Sequence, residues 1–390
     1  MKKKILIVDD SALMRRVFCD IINSDDRFEV VNTATDGAEG FKYICSKEYD
    51  AVVLDVYMPK MTGLQMLEEM QKSRVSAKVL MASTTTGEGA RETLDALSLG
   101  AIDFIKKPEN VADARVDSFS KRFLDLLDTV CKAPMPRFTG AVRASRQSGA
   151  QTFQKRFDVN IHTTADQLHK DREAVKSSLT SKSSVPADIK LRDVKLSGRK
   201  RVVAIASSTG GPKALQDVIP YLPANLQAPV LLVQHMPSGF TASLAERLDE
   251  ISPIKVTEAK NGDMLQAGHV YIAAGGKHMN VEKKGTFHYI KYSDEPTREG
   301  VKPCANYMYE SLAQCDYDEV VCVVLTGMGA DGTAGIKNLD KSKVTYIIAQ
   351  DQDTSTVYGM PKSIAMTGLA SEVVPLEHIA DRIIKNVGVR

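Results

Sequence analysis

Ile5-Leu6-Ile7-Val8-Asp9-Asp10 is four apolar residues in a row, then two acids. Nothing polar alternates within the run, so a strand built from it has no wetted face and belongs in a sheet covered on both sides. Phe28-Glu29-Val30-Val31, Ala51-Val52-Val53-Leu54, Lys78-Val79-Leu80-Met81 and Asp103-Phe104-Ile105 read as further strands, most of them equally apolar. Between them Leu13, Val17 and Ile21, then Leu64, Leu67 and Met70, recur at helical spacing. Buried parallel strands joined by helices follow: a five-strand (βα) unit over residues 1–130, closed by a helix through Lys121-Arg122-Phe123-Leu124-Asp125-Leu126-Leu127.

After Lys132 the periodicity stops. Between Pro134 and Lys200 there are 14 Lys/Arg against 6 Asp/Glu, with serine clusters and few large apolar residues. Residues 131–198 are expected to be a flexible basic linker, with a transient helix near 167–179. The α/β pattern restarts with Val202-Val203-Ala204-Ile205 and continues in Pro229-Val230-Leu231-Leu232-Val233, Val270-Tyr271-Ile272, Val320-Val321-Cys322-Val323-Val324-Leu325 and Val344-Thr345-Tyr346-Ile347-Ile348. A second, doubly wound parallel sheet over residues 199–390 is predicted, and ligands of such sheets sit beyond the carboxyl ends of the strands.

Composition removes several function classes. The 390 residues hold 51 Lys+Arg and 49 Asp+Glu, a net charge of +2, so no polyanion-binding surface and no nucleic-acid partner is expected. No apolar run approaches membrane-spanning length, and the run at residues 5–8 is too short for a signal peptide. Six cysteines without a CxxC pair argue against structural zinc and for reduced thiols, hence a cytoplasmic protein.

Three acids fall at strand ends: Asp9 and Asp10 after the first, Asp55 after the third. Parallel strands bring these ends to one edge, where crowded carboxylates repel and a divalent cation relieves them; oxygen-only ligands favour magnesium. Ser83 and Lys107 add a hydroxyl and a cation to the same edge, a set suited to phosphoryl transfer onto a carboxylate. Through Val8-Asp9-Asp10, Leu54-Asp55-Val56-Tyr57-Met58-Pro59-Lys60-Met61-Thr62-Gly63 and Lys106-Lys107-Pro108 the segment resembles the flavodoxin-like receiver domain of two-component response regulators. That resemblance implies Asp55 as phospho-acceptor, Asp9, Asp10, Asp55 and the Tyr57 backbone carbonyl as Mg2+ ligands, and Lys107 as partner of the phosphoryl group. It implies Ser83 as the switch hydroxyl, with Thr84, Thr85 and Thr86 adjacent, and Phe104 as the switch aromatic.

In the second sheet, Ala204-Ile205-Ala206-Ser207-Ser208-Thr209-Gly210-Gly211-Pro212 nearly matches the G-x-S-x-G nucleophile elbow. Ser208 would project above the sheet beside candidate oxyanion donors at Thr209, Gly210 and Met328; the plain alternative is that Ser208 and Thr209 only cap a helix. Gln234-His235-Met236-Pro237 and Leu325-Thr326-Gly327-Met328-Gly329-Ala330-Asp331-Gly332 also follow strands, so Ser208, His235 and Asp331 make a plausible triad, with His278 as a competing histidine. Gly327-Met328-Gly329-Ala330-Asp331-Gly332 also spells G-x-G-x-x-G, with Asp351 19 residues on, imitating a dinucleotide fingerprint. Asp331 would put a negative charge inside that phosphate loop, and Ser208 and His235 would be left without a role.

Across residues 201–387 these motifs, with Gly239-Phe240-Thr241, Lys277-His278-Met279 and Gly359-Met360-Pro361, resemble the chemotaxis protein-glutamate methylesterase (CheB) family. The resemblance implies Ser208 as nucleophile, His235 as base and Asp331 as orienting acid, acting without a cofactor on glutamyl methyl esters of methyl-accepting chemotaxis receptors, with glutamine deamidation as a companion activity. A chemotaxis histidine kinase is the implied phosphodonor, and membranes are met only through the receptors. Two departures stand out: Ala206-Ser207 replaces an expected Gly-Ala, placing a spare hydroxyl beside Ser208, and the linker is long. A receptor-binding module without catalysis is the other class; a transcription factor lacks its DNA-reading helix.

Overall fold

The computed structural model describes residues 1–83, 87–108, 117–136 and 189–389. The expected helix near 167–179, the bulk of the linker, and Thr84, Thr85 and Thr86 lie outside the described residues.

The first sheet is formed by β1 (Lys3–Val8), β2 (Phe28–Ala34), β3 (Ala51–Asp55), β4 (Val79–Ser83) and β5 (Asp103–Lys106), all parallel, in the order β2-β1-β3-β4-β5. Helices α1 (Ala12–Asn23), α2 (Gly37–Ser46), α3 (Gly63–Ser73), α4 (Gly87–Ser98) and α5 (Asp117–Lys132) cover its faces. Their starts are written locally. Ser11 accepts from the Met14 N–H, Asp36 from Glu39, and Thr62 with Gln65 forms a reciprocal capping box. β3 and β4 are buried throughout, as their composition requires, whereas β2 is a half-wet edge that runs three residues past the predicted stretch. Phe18, Phe28, Phe123 and Leu127 fill the core on one face.

The second sheet has seven parallel strands in the order β14-β13-β12-β6-β7-β9-β8. They are β6 (Arg201–Ser207), β7 (Val230–Gln234), β8 (Lys255–Glu258), β9 (His269–Ile272), β12 (Glu319–Val324), β13 (Val344–Gln350) and β14 (Glu372–Val374). An antiparallel hairpin, β10 (His278–Lys284) and β11 (Phe287–Ser293), stands apart from it. The helices are α6 (Gly211–Gln216), α7 (Phe240–Ile251), α8 (Ala305–Ser311), α9 (Thr333–Asp340), α10 (Met360–Ala365) and α11 (Leu376–Val387). The winding reverses at β6, which lies between β7 and β12, so the carboxyl ends of these three strands meet at the switch point where such sheets bind ligands.

Residues 189–198, expected to belong to the tether, lie along this second sheet. Ile189 is buried in its core, Arg192 bonds Asp340 and Thr345, and Ser197 and Gly198 donate to Glu319. All six cysteines are free thiols. Among the described residues, no helix is long and apolar enough to cross a membrane.

The α4–β5 side of the first sheet meets helices α6 and α7. The Phe104 and Phe240 rings lie 4.5 Å apart, Arg91 reaches Glu246 and Glu250, and Ser98 donates to Gln216.

Candidate functional site

Two strand-end clusters carry the chemistry. At the first sheet, β1 and β3 are neighbours, so Asp9 and Asp10 emerge beside Asp55, and ligand oxygens of the three lie within 4.8 Å of one another. Asp9 and Asp55 are buried; Asp10 is exposed. Lys107 places Nζ 2.7 Å from both Asp9 Oδ2 and Asp55 Oδ2. Burial pushes the Asp55 carboxyl up to about 6; Lys107 opposes that push and the Asp9 charge adds to it. The approach of Lys107 to Asp9 Oδ2 is an ion pair without hydrogen-bond geometry, so this buried oxygen keeps an unmet acceptor. Such a donor set fits a small divalent cation: hard oxygens, excess negative charge and one face open at Asp10.

Ser83 closes β4 with its hydroxyl engaged by Thr93 and by the Gly89 carbonyl of α4, and its own carbonyl accepts from the Lys107 N–H. Phe104 is buried against Phe240, and Tyr57 lies two residues past Asp55 with its side chain at the surface. Asp9, Asp10, Asp55 and Lys107 are thus brought together, whereas Ser83 and Phe104 face α4 and α7.

At the second sheet, the three residues named for a triad converge. His235 Nδ1 lies 3.1 Å from Ser208 Oγ, and His235 Nε2 lies 2.7 Å from Asp331 Oδ2. The anionic acceptor assigns the ring proton to Nε2, which leaves the Nδ1 lone pair facing the serine. Asp331, only 2% exposed, also accepts from the backbone N–H groups of Ala305, Asn306 and Gly332 and from the Cys304 thiol. Burial alone would raise its carboxyl, but these bonds, led by that from His235, hold it below the ordinary carboxylate value.

The turn carrying Ser208 depends on close approach. Gly210 sits at φ 76°, and a Cβ on Gly211 would fall 1.9 Å from Gln234 Oε1. The residue capping α6 is Gly210, with no side-chain cap, so Ser208 is not spent on the helix. Among the described residues, the Thr209, Gly210 and Met328 N–H groups donate no hydrogen bond, as candidate oxyanion donors must.

Several sequence readings are corrected by the geometry. The Ser207 hydroxyl is not spare: it is buried and donates to Gln234 Oε1 at 2.7 Å. His278 stands outside the triad, bonded to the Pro296 carbonyl and packed on Tyr307. The G-x-G-x-x-G loop holds no phosphate cradle, because a Cβ on Gly327 would lie 2.7 Å from Ser208 Cβ and Asp331 is committed to His235. Asp351 closes its own turn by accepting from the Thr354 N–H and hydroxyl. Cys304 and Asn306, which support Asp331, carried no sequence signal.

The receiver-like half reaches this edge as well. Burial pushes the Asp103 carboxyl up while neighbouring Thr209 opposes that push, and Thr129 Oγ1 lies 2.9 Å from Met328 Sδ.

Comparison with known proteins covers both halves. A family model described as CheB methylesterase matches residues 203–383, and one described as response regulator receiver domain matches residues 5–116. The protein-glutamate methylesterase/protein-glutamine glutaminase 2 of Photobacterium profundum is 37% identical over 406 residues, covering 100% of both chains. The protein-glutamate methylesterase/protein-glutamine glutaminase of Pyrococcus horikoshii is 40% identical over 386 residues, 99% of this chain and 94% of that one. The solved CheB methylesterase catalytic domain of Thermotoga maritima is 39% identical, with a TM-score of 0.46, and spans 49% of this chain and 99% of its own.

Proposed function

The chain belongs to the CheB methylesterase family, with a response regulator receiver domain in front of the esterase, and on that premise we propose that it is a phosphorylation-activated serine esterase that demethylates glutamyl methyl esters of chemoreceptors. The observation that carries the reading is the unbroken Ser208–His235–Asp331 relay at the switch point of the second sheet.

Ser208 Oγ attacks the ester carbonyl carbon as its proton passes to His235 Nδ1, and the C–O π electrons move onto oxygen. The N–H groups of Thr209, Gly210 and Met328 receive that charge. Asp331 holds the Nε2–H and stabilises the imidazolium. Collapse breaks the bond to methoxide, which leaves as methanol with the proton from Nδ1. Water then repeats the sequence on the acyl-enzyme and releases glutamate. A glutamine side chain passes through the same acyl-enzyme with ammonia as leaving group, which accounts for a glutaminase activity. No step calls for a cofactor.

In the receiver, Asp55 is the phospho-acceptor: a carboxylate oxygen attacks phosphorus as the donor's bond to phosphorus breaks. Asp9, Asp10, Asp55 and the Tyr57 carbonyl would hold Mg2+, which when bound supplies neutralisation of the transferring oxygens. Lys107, already bridging Asp9 and Asp55, pairs with the new phosphoryl group. Ser83 and Phe104 act as switch hydroxyl and switch aromatic. The contacts of Thr129 with Met328 and of Phe104 with Phe240 support a covered, resting esterase. The phosphodonor is a chemotaxis histidine kinase.

Methanol release from methylated receptor membranes, with and without a small-molecule phosphodonor and magnesium, tests the reading. Release that rises with the donor is expected and Ser208→Ala abolishes it; release by the Ser208→Ala protein would overturn the triad.

A further inference from the structure

Two buried side chains outside the triad grip the backbone immediately after the nucleophile. Gln234, 2% exposed, donates from Nε2 to the Ser208 carbonyl at 2.9 Å and to the His235 carbonyl at 3.2 Å. Its amide has one chemically sensible orientation, because the two carbonyls only accept, so the NH2 end must face them while Oε1 takes the Ser207 hydroxyl. Thr326, 1% exposed, donates from Oγ1 to the Thr209 carbonyl at 2.9 Å and accepts from the Val357 N–H at 2.9 Å.

A trans peptide sets its C=O and N–H on opposite sides of one plane. Fixing the Ser208 carbonyl therefore fixes the Thr209 N–H, and fixing the Thr209 carbonyl fixes the Gly210 N–H. Both N–H groups are turned away from the side chain that holds their plane, and neither donates elsewhere among the described residues. The Gly211 N–H adds a second bond to the Ser208 carbonyl at 2.7 Å, so that carbonyl is doubly held. Neither Gln234 nor Thr326 meets Ser208 Oγ, the His235 ring or Asp331, so neither touches the groups that move protons.

We infer that Gln234 and Thr326 are positioning residues that aim the Thr209 and Gly210 N–H groups at the oxyanion, one residue per peptide plane, with Ser207 locking Gln234 in its working orientation. The inference rests on the esterase reading above and adds to it the groups that preorganise the oxyanion site. Donors held in place before reaction stabilise the developing charge without reorganisation, and misplacement by about 1 Å can cost roughly a hundredfold in rate.

The test uses full-length protein carrying Gln234→Met, which keeps length but not hydrogen bonding, or Thr326→Val, with Thr326→Ser as the conservative rescue. Two readouts are followed: methanol release from methylated receptor membranes, and phosphonylation of Ser208 by an alkyl fluorophosphonate, in which the Oγ–P bond forms, fluoride leaves and His235 takes the proton. Positioning predicts kcat and phosphonylation rate lower by about ten- to a hundredfold, KM within about twofold and an unmoved pH midpoint, since His235 and Asp331 are intact, with Thr326→Ser near wild type. Wild-type rates in a folded variant overturn the inference, as does a loss expressed in KM or in a shifted pH midpoint. If Gln234→Met does not fold, the Val and Ser variants at 326 decide alone. Wild-type protein that takes the fluorophosphonate without releasing methanol sinks the substrate reading and leaves the positioning test running; wild-type protein that takes neither overturns both.

Discussion

Asp331 holds a negative charge in a nearly closed pocket with five donors around it: the His235 ring, the Cys304 thiol and three backbone N–H groups. Replacing it by Asn keeps the shape but removes the charge that fixes the His235 tautomer, so esterase activity at pH 7 is expected to fall about 10³- to 10⁴-fold. The same pairing has a stability signature. The folded carboxyl lies below its ordinary value, so its contribution is complete above about pH 4 and is lost as pH falls through the depressed folded value. Wild-type urea midpoints should therefore drop more steeply than those of Asp331→Asn as pH falls below about 4; parallel slopes there would remove Asp331 from the account. Beside it, burial and then the Asp331 charge push the Cys304 thiol up to about 12, so it is a neutral donor and a poor nucleophile. Alkylation of the native protein at pH 8, read by mass spectrometry, should label exposed Cys45 and spare Cys304; equal labelling would contradict the buried thiol–carboxylate bond. Ser208, His235 and Asp331 were legible because each follows a strand that the apolar runs reveal. Cys304 and Asn306 were not, because they reach Asp331 from the start of α8, a position no strand pattern marks.

Elements whose burial is uniform announce themselves, and those at the margins do not. β1, β3, β6 and β12 appeared as unbroken apolar runs because both sheet faces are covered. β8 is a four-residue edge reading Lys-Val-Thr-Glu, and β14 has three residues; neither is long enough to show a period. The β10–β11 hairpin alternates buried and wet positions and turns on Gly285 at φ 61°, a pattern lost among its charged residues. At this scale Gly63 joins strand to helix in the receiver: it begins α3, and a Cβ there would lie 2.1 Å from the Asp55 carbonyl oxygen, a backbone atom that cannot swing away. Gly63→Ala must push α3 from the end of β3, with a cost of about 1–3 kcal/mol in urea denaturation and slower phosphorylation of Asp55. An unchanged midpoint would mean that the helix is not seated against the strand end.

Across the whole molecule the question is what holds the receiver over the esterase edge. The ion pairs of Arg91 with Glu246 at 3.3 Å and Glu250 at 3.6 Å, and of Arg247 with Asp95 at 3.9 Å, are exposed or half-exposed, so each contributes little and fades with salt. Phe104 against Phe240 is different in kind: both rings are buried, and such a pair adds about 0.5–1.5 kcal/mol beyond its area. Phe104 also lies on β5, one strand from β4 and three residues before Lys107, so a change at Asp55 has a short path to it. Phe104→Ala should therefore loosen the covered state and raise basal methanol release several-fold, with a smaller further gain from a phosphodonor. Arg91→Ala should raise it little at about 0.15 M salt. The factor is set by differential stability alone, since about 1.4 kcal/mol is tenfold in the open fraction. A folded Phe104→Ala protein with unchanged basal release and undiminished stimulation would mean that the ring contact does not hold the esterase in check, and that activation is transmitted through Thr129 at Met328.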